Sequence, residues 1–426
     1  MEKEDIFDVI ILGAGPAGLS VGSELSSKLN VLIVEKGLAG QTIHAWTYWN
    51  DRVKEVGISD TVTSRMTNGV ARSMLGSEVR IKLGKINKFI PAIDENKLLN
   101  KFIVKIKKNK AKILSNCSFE SLRDDGNRIH VNTSLGQFTC RLLIDAMGYD
   151  SVLASRFRVV TRGYFIPVGG WAISRIGLPS KEYNFMESIL DKHPIPYWWS
   201  FPVDKKTDFI GSFYVTRTPL GRDLLEKDFA EMVKAHPYTQ GKKITIKKKY
   251  YGNIPIASNF DQNNVDRIAF IGDARAWGTG FGWGFSPIIS NYRDVSRRIL
   301  KCLAANELDA NSLKDATEIK FNSPLTDLNA KLEELVGVFL VNCNLKDFDR
   351  VLKVFKPHPE ILEKLCTFTL TNKDIIKVLK IMHNEFTLLE LFGIFSEKDH
   401  IFMIKELLAV LKDEELNFVR AIYKNL

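Results

Sequence analysis

Gly13-Ala14-Gly15-Pro16-Ala17-Gly18 follows the apolar run Phe7 to Leu12, opens a helix-like stretch from Pro16 to Leu29, and is followed by a second apolar run from Val31 to Glu35. Strand, glycine turn, helix and strand make a βαβ unit. In that setting the glycines have separate tasks. Gly13 allows the tight turn, Gly15 lets a pyrophosphate reach the main chain, and Gly18 lets the helix pack closely on the strand, with the helix N-terminus facing the phosphates. Pro16 and Ala17 start the helix, and Gly22 continues its small-residue face. Glu35 ends the second strand seventeen residues beyond Gly18, where a carboxylate accepts hydrogen bonds from ribose hydroxyls. A bare glycine turn is the competing explanation, but strand, helix and acid occur together. The fingerprint predicts a bound dinucleotide without separating FAD from NAD.

Outward from this unit, Gly69 to Phe89 reads as an antiparallel excursion and Asp94 to Lys108 as an amphipathic helix. Lys112 to Phe119, Arg128 to Asn132 and Gln137 to Arg141 read as a strand and a hairpin, with a turn at Asp124-Asp125-Gly126-Asn127. Leu142 to Ala146 is a buried strand. Between Arg158 and Tyr251 the pattern is strand-rich and aromatic, broken by Pro167, Pro194, Pro196, Pro202 and Pro219. Arg267 to Ile271 then forms another apolar strand that leads into a helix from Pro287 to Leu303. Beyond Ala310 apolar residues recur at helical spacing, through Leu332 to Leu340, Phe348 to Phe355, Ile375 to Met382 and Phe402 to Leu411. The expected fold is α/β. A Rossmann-like domain with a central parallel sheet occupies 1–160 plus 263–305, with a β excursion near 65–92. An antiparallel, β-rich substrate domain is inserted over 161–262, and a helical region covers 306–426.

The composition is that of an ordinary folded protein, 45% hydrophobic and 26% charged with 14 prolines among 426 residues. No apolar run reaches the roughly 18 residues that span a bilayer, and the acidic start leads into a strand rather than a signal-peptide pattern. A cytoplasmic location is expected. The five cysteines are scattered, with no C-x-x-C pair and no histidine cluster, so no metal site or disulfide framework is expected. The net charge of +10 is concentrated in lysine runs, Lys105 to Lys112 and Lys242 to Lys249. Such runs are most often solvated faces. They also suit peripheral contact at the inner face of an anionic membrane, where each surface lysine contributes about 1 kcal/mol. Nucleic acid is not an expected partner, because no aromatic-interleaved basic motif or reading helix accompanies the lysines.

A second segment bears on the cofactor. Ile268-Ala269-Phe270-Ile271-Gly272-Asp273 is an apolar strand ending in Gly-Asp, and it resembles the second FAD motif of the glutathione-reductase-like flavoproteins, whose Asp contacts the ribityl chain. The glycine-rich passage that follows, with Gly282 and Gly284, lets backbone N–H groups approach phosphate or the flavin edge. Further blocks are similar to the FAD-dependent geranylgeranyl reductase and lycopene cyclase superfamily, which shares its fold with aromatic hydroxylases and flavin halogenases. Ile144-Asp145-Ala146-Met147-Gly148-Tyr149 resembles that family's D-A-T-G-[YF] turn. Tyr197-Trp198-Trp199-Ser200-Phe201-Pro202 resembles the Y-x-W-x-F-P motif of the prenyl reductases, and Gly252-Asn253-Ile254-Pro255 their G-x-I-P strand. His44-Ala45-Trp46-Thr47-Tyr48-Trp49 is closer to the cyclases. The order and spacing match over the first 300 residues.

The resemblance implies FAD as cofactor, held by Gly13, Gly15, Pro16, Ala17, Gly18 and Glu35, by Lys36, Gln41 and Thr42 in the following loop, and by Gly148, Gly272, Asp273, Gly282 and Gly284. It implies an isoprenoid or prenyl-lipid substrate against Trp46, Tyr197, Trp199 and Phe201. An apolar, flexible substrate needs large rigid surfaces. Strand alternation puts Tyr197, Trp199 and Phe201 on one face and Trp198 on the other. His44, Tyr48 and Tyr197 are the candidate proton donors. Core packing alone also accounts for an aromatic strand. Three features depart from the family: there is no cysteine between Glu35 and Asp51, no acid within Phe209-Ile210-Gly211-Ser212-Phe213, and no proline in the loop after Gly-Asp.

The favoured expectation is a flavin-dependent reductase of isoprenoid carbon–carbon double bonds. No second dinucleotide fingerprint is visible, so electrons come from a carrier protein or a transiently bound nicotinamide. A non-redox cyclase is the alternative that Trp46 and Trp49 favour through cation–π stabilisation and the missing acid opposes. A flavin monooxygenase or halogenase of the same fold and a non-catalytic FAD protein that binds lipid complete the alternatives.

Overall fold

The computed structural model describes residues 6–42, 45–48, 53–84, 88–160, 164–256, 260–262, 265–275, 277, 285–319, 336–366 and 370–386. Ile6–Leu12, Pro16–Leu25 and Val31–Val34 form the βαβ unit. The first strand is apolar on both faces, as a strand inside a parallel sheet must be. It pairs in parallel with Val31–Val34 on one side and Gly136–Asp145 on the other. Lys112–Leu114 extends the sheet at one end. Gly136–Asp145 has two neighbours on its far side: the hairpin strand Ile129–Thr133 along its first half, and Ile268–Phe270, parallel, along its second. Chain far apart in sequence thus completes one parallel sheet. The two segments expected as Gln137 to Arg141 and Leu142 to Ala146 are a single strand.

A second seven-stranded sheet runs in the order Ile246–Ile256, Tyr164–Ser174, Thr207–Phe213, Tyr197–Pro202, Glu182–Ser188, Asn68–Arg72, Glu78–Lys82. All pairs are antiparallel except Glu182–Ser188 with Asn68–Arg72. The excursion near 65–92 is therefore divided. Its middle strands extend this larger sheet, where Val70, Ala71, Val79 and Ile81 become buried. Val62–Met66 and Ile90–Ile93 join Trp46–Thr47 in a three-stranded sheet. The two crossings between the parallel sheet and the inserted strands, Arg158–Val160 and Phe260–Gln262, pair with each other.

Helix Arg222–Ala235 stands in the region expected to be strands and loops. Leu225, Phe229 and Met232 recur at helical spacing and are all buried, and Phe229 packs on Trp171 and Trp198. The helix covers the face of the large sheet that carries Trp198, Ile173 and Ile210. The opposite face receives chain from beyond residue 310. Residues 336–342 are helical, and Val338, Phe339, Leu340 and Val341 join Ile166, Val168, Met186 and Val215 in one apolar cluster. Leu345–Phe355, Pro359–Cys366 and Asn372–Glu385 are further helices. The expected helix from Phe402 to Leu411 lies outside the described residues.

In the middle of the large sheet Gly170 and Gly211 face each other across two strands. The Phe209 ring lies over both, so that a Cβ at Gly170 would stand 2.6 Å from Phe209 Cζ and 2.9 Å from the Ile210 carbonyl oxygen. Trp199, Phe201 and Tyr250 pack around that ring. Gly170→Val must displace a backbone oxygen as well as the ring, and overpacking of this kind costs about 1–3 kcal/mol. Urea unfolding of the variant against the parent protein is expected to show that loss.

Candidate functional site

The carboxyl edge of the parallel sheet is where ligands bind in open α/β folds. Here three strand ends meet there: Gly13 after the first strand, Ala146 after Gly136–Asp145, and Gly272 after Ile268–Phe270. The contacts are too close for side chains. A Cβ at Gly13, whose φ is +103°, would stand 2.5 Å from the Ala146 carbonyl oxygen. At Gly18 it would stand 2.0 Å from the Gly13 carbonyl oxygen, and at Gly272, φ +63°, 2.8 Å from Ala17 Cβ. Gly15 differs, with no atom within 4 Å of a Cβ built on it. Gly13, Gly18 and Gly272 are thus required by packing, while Gly15 leaves open space in front of the helix N-terminus.

That space is part of a cavity of about 850 Å³, within the range of ligand sites. Gly13, Gly15, Pro16 and Ala17 line it together with Glu35 and Lys36. Gln41, Thr42, Gly148 and Asp273, also expected from the sequence, line the same cavity. Gly18 and Gly272 do not line it; they lie beneath it as packing positions. Gly282 and Gly284 lie outside the described residues. Glu35 accepts from Ala14 N at 2.7 Å through Oε2 and from Gly37 N at 2.9 Å through Oε1. The carboxylate so fixes the fingerprint turn to the end of the second strand, and each oxygen retains a lone pair for a ribose hydroxyl. Asp145 secures the adjoining turn by accepting from Met147 N at 3.0 Å and Ala154 N at 3.1 Å.

The same cavity continues over the face of the large sheet. One part of its lining is aliphatic, with Ile166, Val168, Val215, Ile254 and Leu340. Another part is aromatic, with Tyr183, Trp199, Phe209 and Tyr250. Trp199 Nε1 donates to Tyr183 Oη at 3.1 Å. Trp46 lines the junction and stacks on Phe285 with centroids 4.6 Å apart at 6°. Tyr197 and Phe201 are on the same strand face as Trp199, as alternation requires, yet neither lines the cavity. Tyr197 is fully buried between Phe213 and Phe348, and burial raises its phenol well above the ordinary value. Phe201 is buried against Trp199 and Phe209. Trp198 faces the other side and stacks on His236.

Of the expected proton donors, His44 lies outside the described residues. Tyr48 is buried, shares a 2.8 Å hydrogen bond with Ser290 Oγ, and does not line the cavity. Tyr197 is shut off by its packing. The lining residues that the sequence did not single out include Asn96, Met147, Lys248, Lys249, Tyr250 and Leu340. Lys248 and Lys249 belong to a run read as a solvated face. Leu340 belongs to the helical region, which was given no part in the site. The polar cleft at Gly15 and the apolar chamber beyond it fit an elongated dinucleotide whose reactive end meets an apolar ligand.

This architecture sets a parallel sheet with a glycine fingerprint at its carboxyl edge against a large antiparallel sheet, with one cavity between them. The sequence profile of the pyridine nucleotide-disulphide oxidoreductase family matches residues 10–153. No curated protein matches the chain. Among solved structures, a geranylgeranyl bacteriochlorophyll reductase-like protein from Thermoplasma acidophilum superposes with a TM-score of 0.72 at 14% identity, over 92% of this chain and 100% of its own. The p-nitrophenol 4-monooxygenase PnpA from Pseudomonas putida gives 0.61 at 13% identity, over 89% and 99%. The halogenase PltM in complex with phloroglucinol and FAD gives 0.57 at 13%, over 89% and 96%. The fold is the FAD-binding, Rossmann-like flavoprotein fold that the sequence resemblance implied, and these likenesses support FAD as the cofactor.

The glycines separate ligand binding from folding. Gly15→Val fills only open space and an extended backbone position, so it should cost no more than about 1 kcal/mol as a poorer helix cap. Gly18→Val meets a carbonyl oxygen and should unfold at markedly lower temperature. Thermal melts with and without added FAD should show Gly15→Val near the parent melting point but without the upward shift that FAD gives the parent.

Proposed function

We propose that the chain is an FAD-dependent oxidoreductase that reduces carbon–carbon double bonds of an isoprenoid or prenyl-lipid substrate. The observation that carries this reading is the continuity of one cavity from the glycine fingerprint to an apolar chamber walled by Trp199, Phe209, Ile254 and Leu340. The backbone at Gly13 to Gly18 would hold the pyrophosphate, Glu35 the ribose and Asp273 the ribityl chain. Bound FAD supplies the hydride. The chain's own part is to bring the alkene to that point, to keep water out with the aliphatic and aromatic walls, and to furnish a proton.

Anaerobic incubation of the photoreduced protein with polyprenyl substrates, followed by mass spectrometry, tests the reading. A product heavier by two hydrogens is expected. An unchanged mass with altered structure would mean a cyclase, an added oxygen or halogen a monooxygenase or halogenase, and absence of turnover a binding role.

The substrate class and the surface charge together suggest work at a membrane. Lys101, Lys105, Lys107 and Lys108 are exposed on the amphipathic helix Glu95–Lys108, with Lys110 and Lys112 just beyond it. No helix among the described residues is long and apolar enough to cross a membrane. A reduced carrier protein or a nicotinamide would deliver the electrons. Sedimentation with anionic liposomes at low salt, lost at high salt, is expected; failure to sediment at low salt would remove the membrane from the proposal.

A further inference from the structure

Addition of two hydrogens across an alkene needs one proton for every hydride, yet most of the chamber wall is hydrocarbon and none of the described donors foreseen from the sequence opens onto it. One lining residue carries a hydroxyl that belongs to a charged chain. Tyr250 lines the cavity, is 7% exposed, and sets its ring edge-on to Phe209 with centroids 5.8 Å apart. Its Oη donates to Glu95 Oε1 at 3.0 Å. Lys248 Nζ donates to the same Glu95 oxygen at 3.0 Å. The Lys248 side chain is 33% exposed, so the far end of this chain meets solvent.

Two parts of the fold hold the chain in register. Glu95 is the first residue of helix Glu95–Lys108, whose N-cap Asp94 accepts from Lys97 N at 2.9 Å. Tyr250 and Lys248 stand two residues apart on strand Ile246–Ile256, so they share a face. Their neighbours across the strand pair are Gly170 and Ala172. Gly170 lines the cavity together with Tyr250 and Lys248.

We propose that Lys248, Glu95 and Tyr250 form the proton path into the chamber, with the Tyr250 hydroxyl as the group that delivers the proton. The inference rests on the reductase reading above. In the step, the alkene π bond breaks and two C–H bonds form. The hydride, with its two electrons, comes from reduced flavin, which is oxidised; the proton comes from Tyr250 Oη and leaves a phenolate. A proton passing from the Lys248 ammonium through Glu95 Oε1 restores the phenol, and Lys248 reloads from solvent. Burial and the Glu95 carboxylate raise the Tyr250 phenol above its ordinary value, which keeps the hydroxyl protonated between turnovers. The ammonium lies 5.0 Å from the Tyr250 ring centroid, close enough to stabilise a transient phenolate. Tyr250 is the catalytic residue in this scheme; Glu95 and Lys248 act through it.

The test follows reoxidation of the photoreduced holoprotein by a polyprenyl substrate in an anaerobic stopped flow, alongside flavin content and substrate affinity. Tyr250→Phe is expected to keep both flavin and affinity while the reoxidation rate falls by about 100-fold or more, the contribution of a general acid. Tyr250→Phe reacting at the parent rate would overturn the path. Glu95→Gln retains ring and hydroxyl, so it serves if Tyr250→Phe loses flavin: a slower rate with full flavin content supports the path, an unchanged rate defeats it. A second readout needs no turnover. In flavin-loaded protein carrying 13C at the tyrosine Cζ, the resonance absent from Tyr250→Phe should titrate at lower pH in Glu95→Gln than in the parent. An unmoved resonance would show that the carboxylate does not act on the phenol. A parent protein that no polyprenyl compound reoxidises would instead refute the reductase reading, and the path with it.

Discussion

A single close approach organises the molecule: the main chain at Gly13 lies against the helix that begins at Pro16 and against the turn after Asp145, with no room for any side chain between them. Gly18 and Gly272 extend the same constraint to the helix and to the returning strand. Because these backbones touch, the helix N-terminus, the Glu35 carboxylate and the Asp273 turn converge on one edge of the parallel sheet. A side chain at any of the three packing glycines would spread the strand ends and open the cleft. Gly15 alone in the fingerprint is spared this packing, so its lack of a side chain faces the ligand and not the fold.

The large sheet carries a related arrangement on its own face. Gly170 and Gly211 let Phe209 lie flat on the strands, and the rings of Trp199, Phe201 and Tyr250 gather on it. Polarity changes along the same face, from Lys248, which is bonded to Glu95 at the start of helix Glu95–Lys108, to Ile166 and Ile254 at the other end of the strands. An elongated, mostly apolar molecule has one favourable orientation in such a gradient.

The parts legible in the sequence were those whose cause is local. A glycine turn between a strand and a helix imposes its backbone geometry within six residues, and the Gly-Asp turn at Gly272 does so within two. Trp199 could be placed on its strand face because alternation has a period of two. The same rule could not decide that Tyr197 would be roofed by Phe348 or that Phe201 would be buried against Phe209, since those neighbours come from other elements. Helix Arg222–Ala235 was hidden between prolines, although Leu225, Phe229 and Met232 carry its spacing. Lys248 looked like part of a solvated run because only strand pairing with Tyr164–Ser174 brings it beside Glu95, which is far away in sequence. Long-range pairing, not residue type, gives these positions their meaning.

The contribution of Leu340 to the chamber has a temporal side. During synthesis the chain emerges from its N-terminus, and the last parallel strand, Ile268–Phe270, is complete well before residues 336–342 leave the ribosome. Domains fold as units while the chain is still being made. The nucleotide cleft can therefore take shape on a nascent protein whose apolar chamber still stands open to water, and greasy surface remains uncovered until the final third of translation seals it.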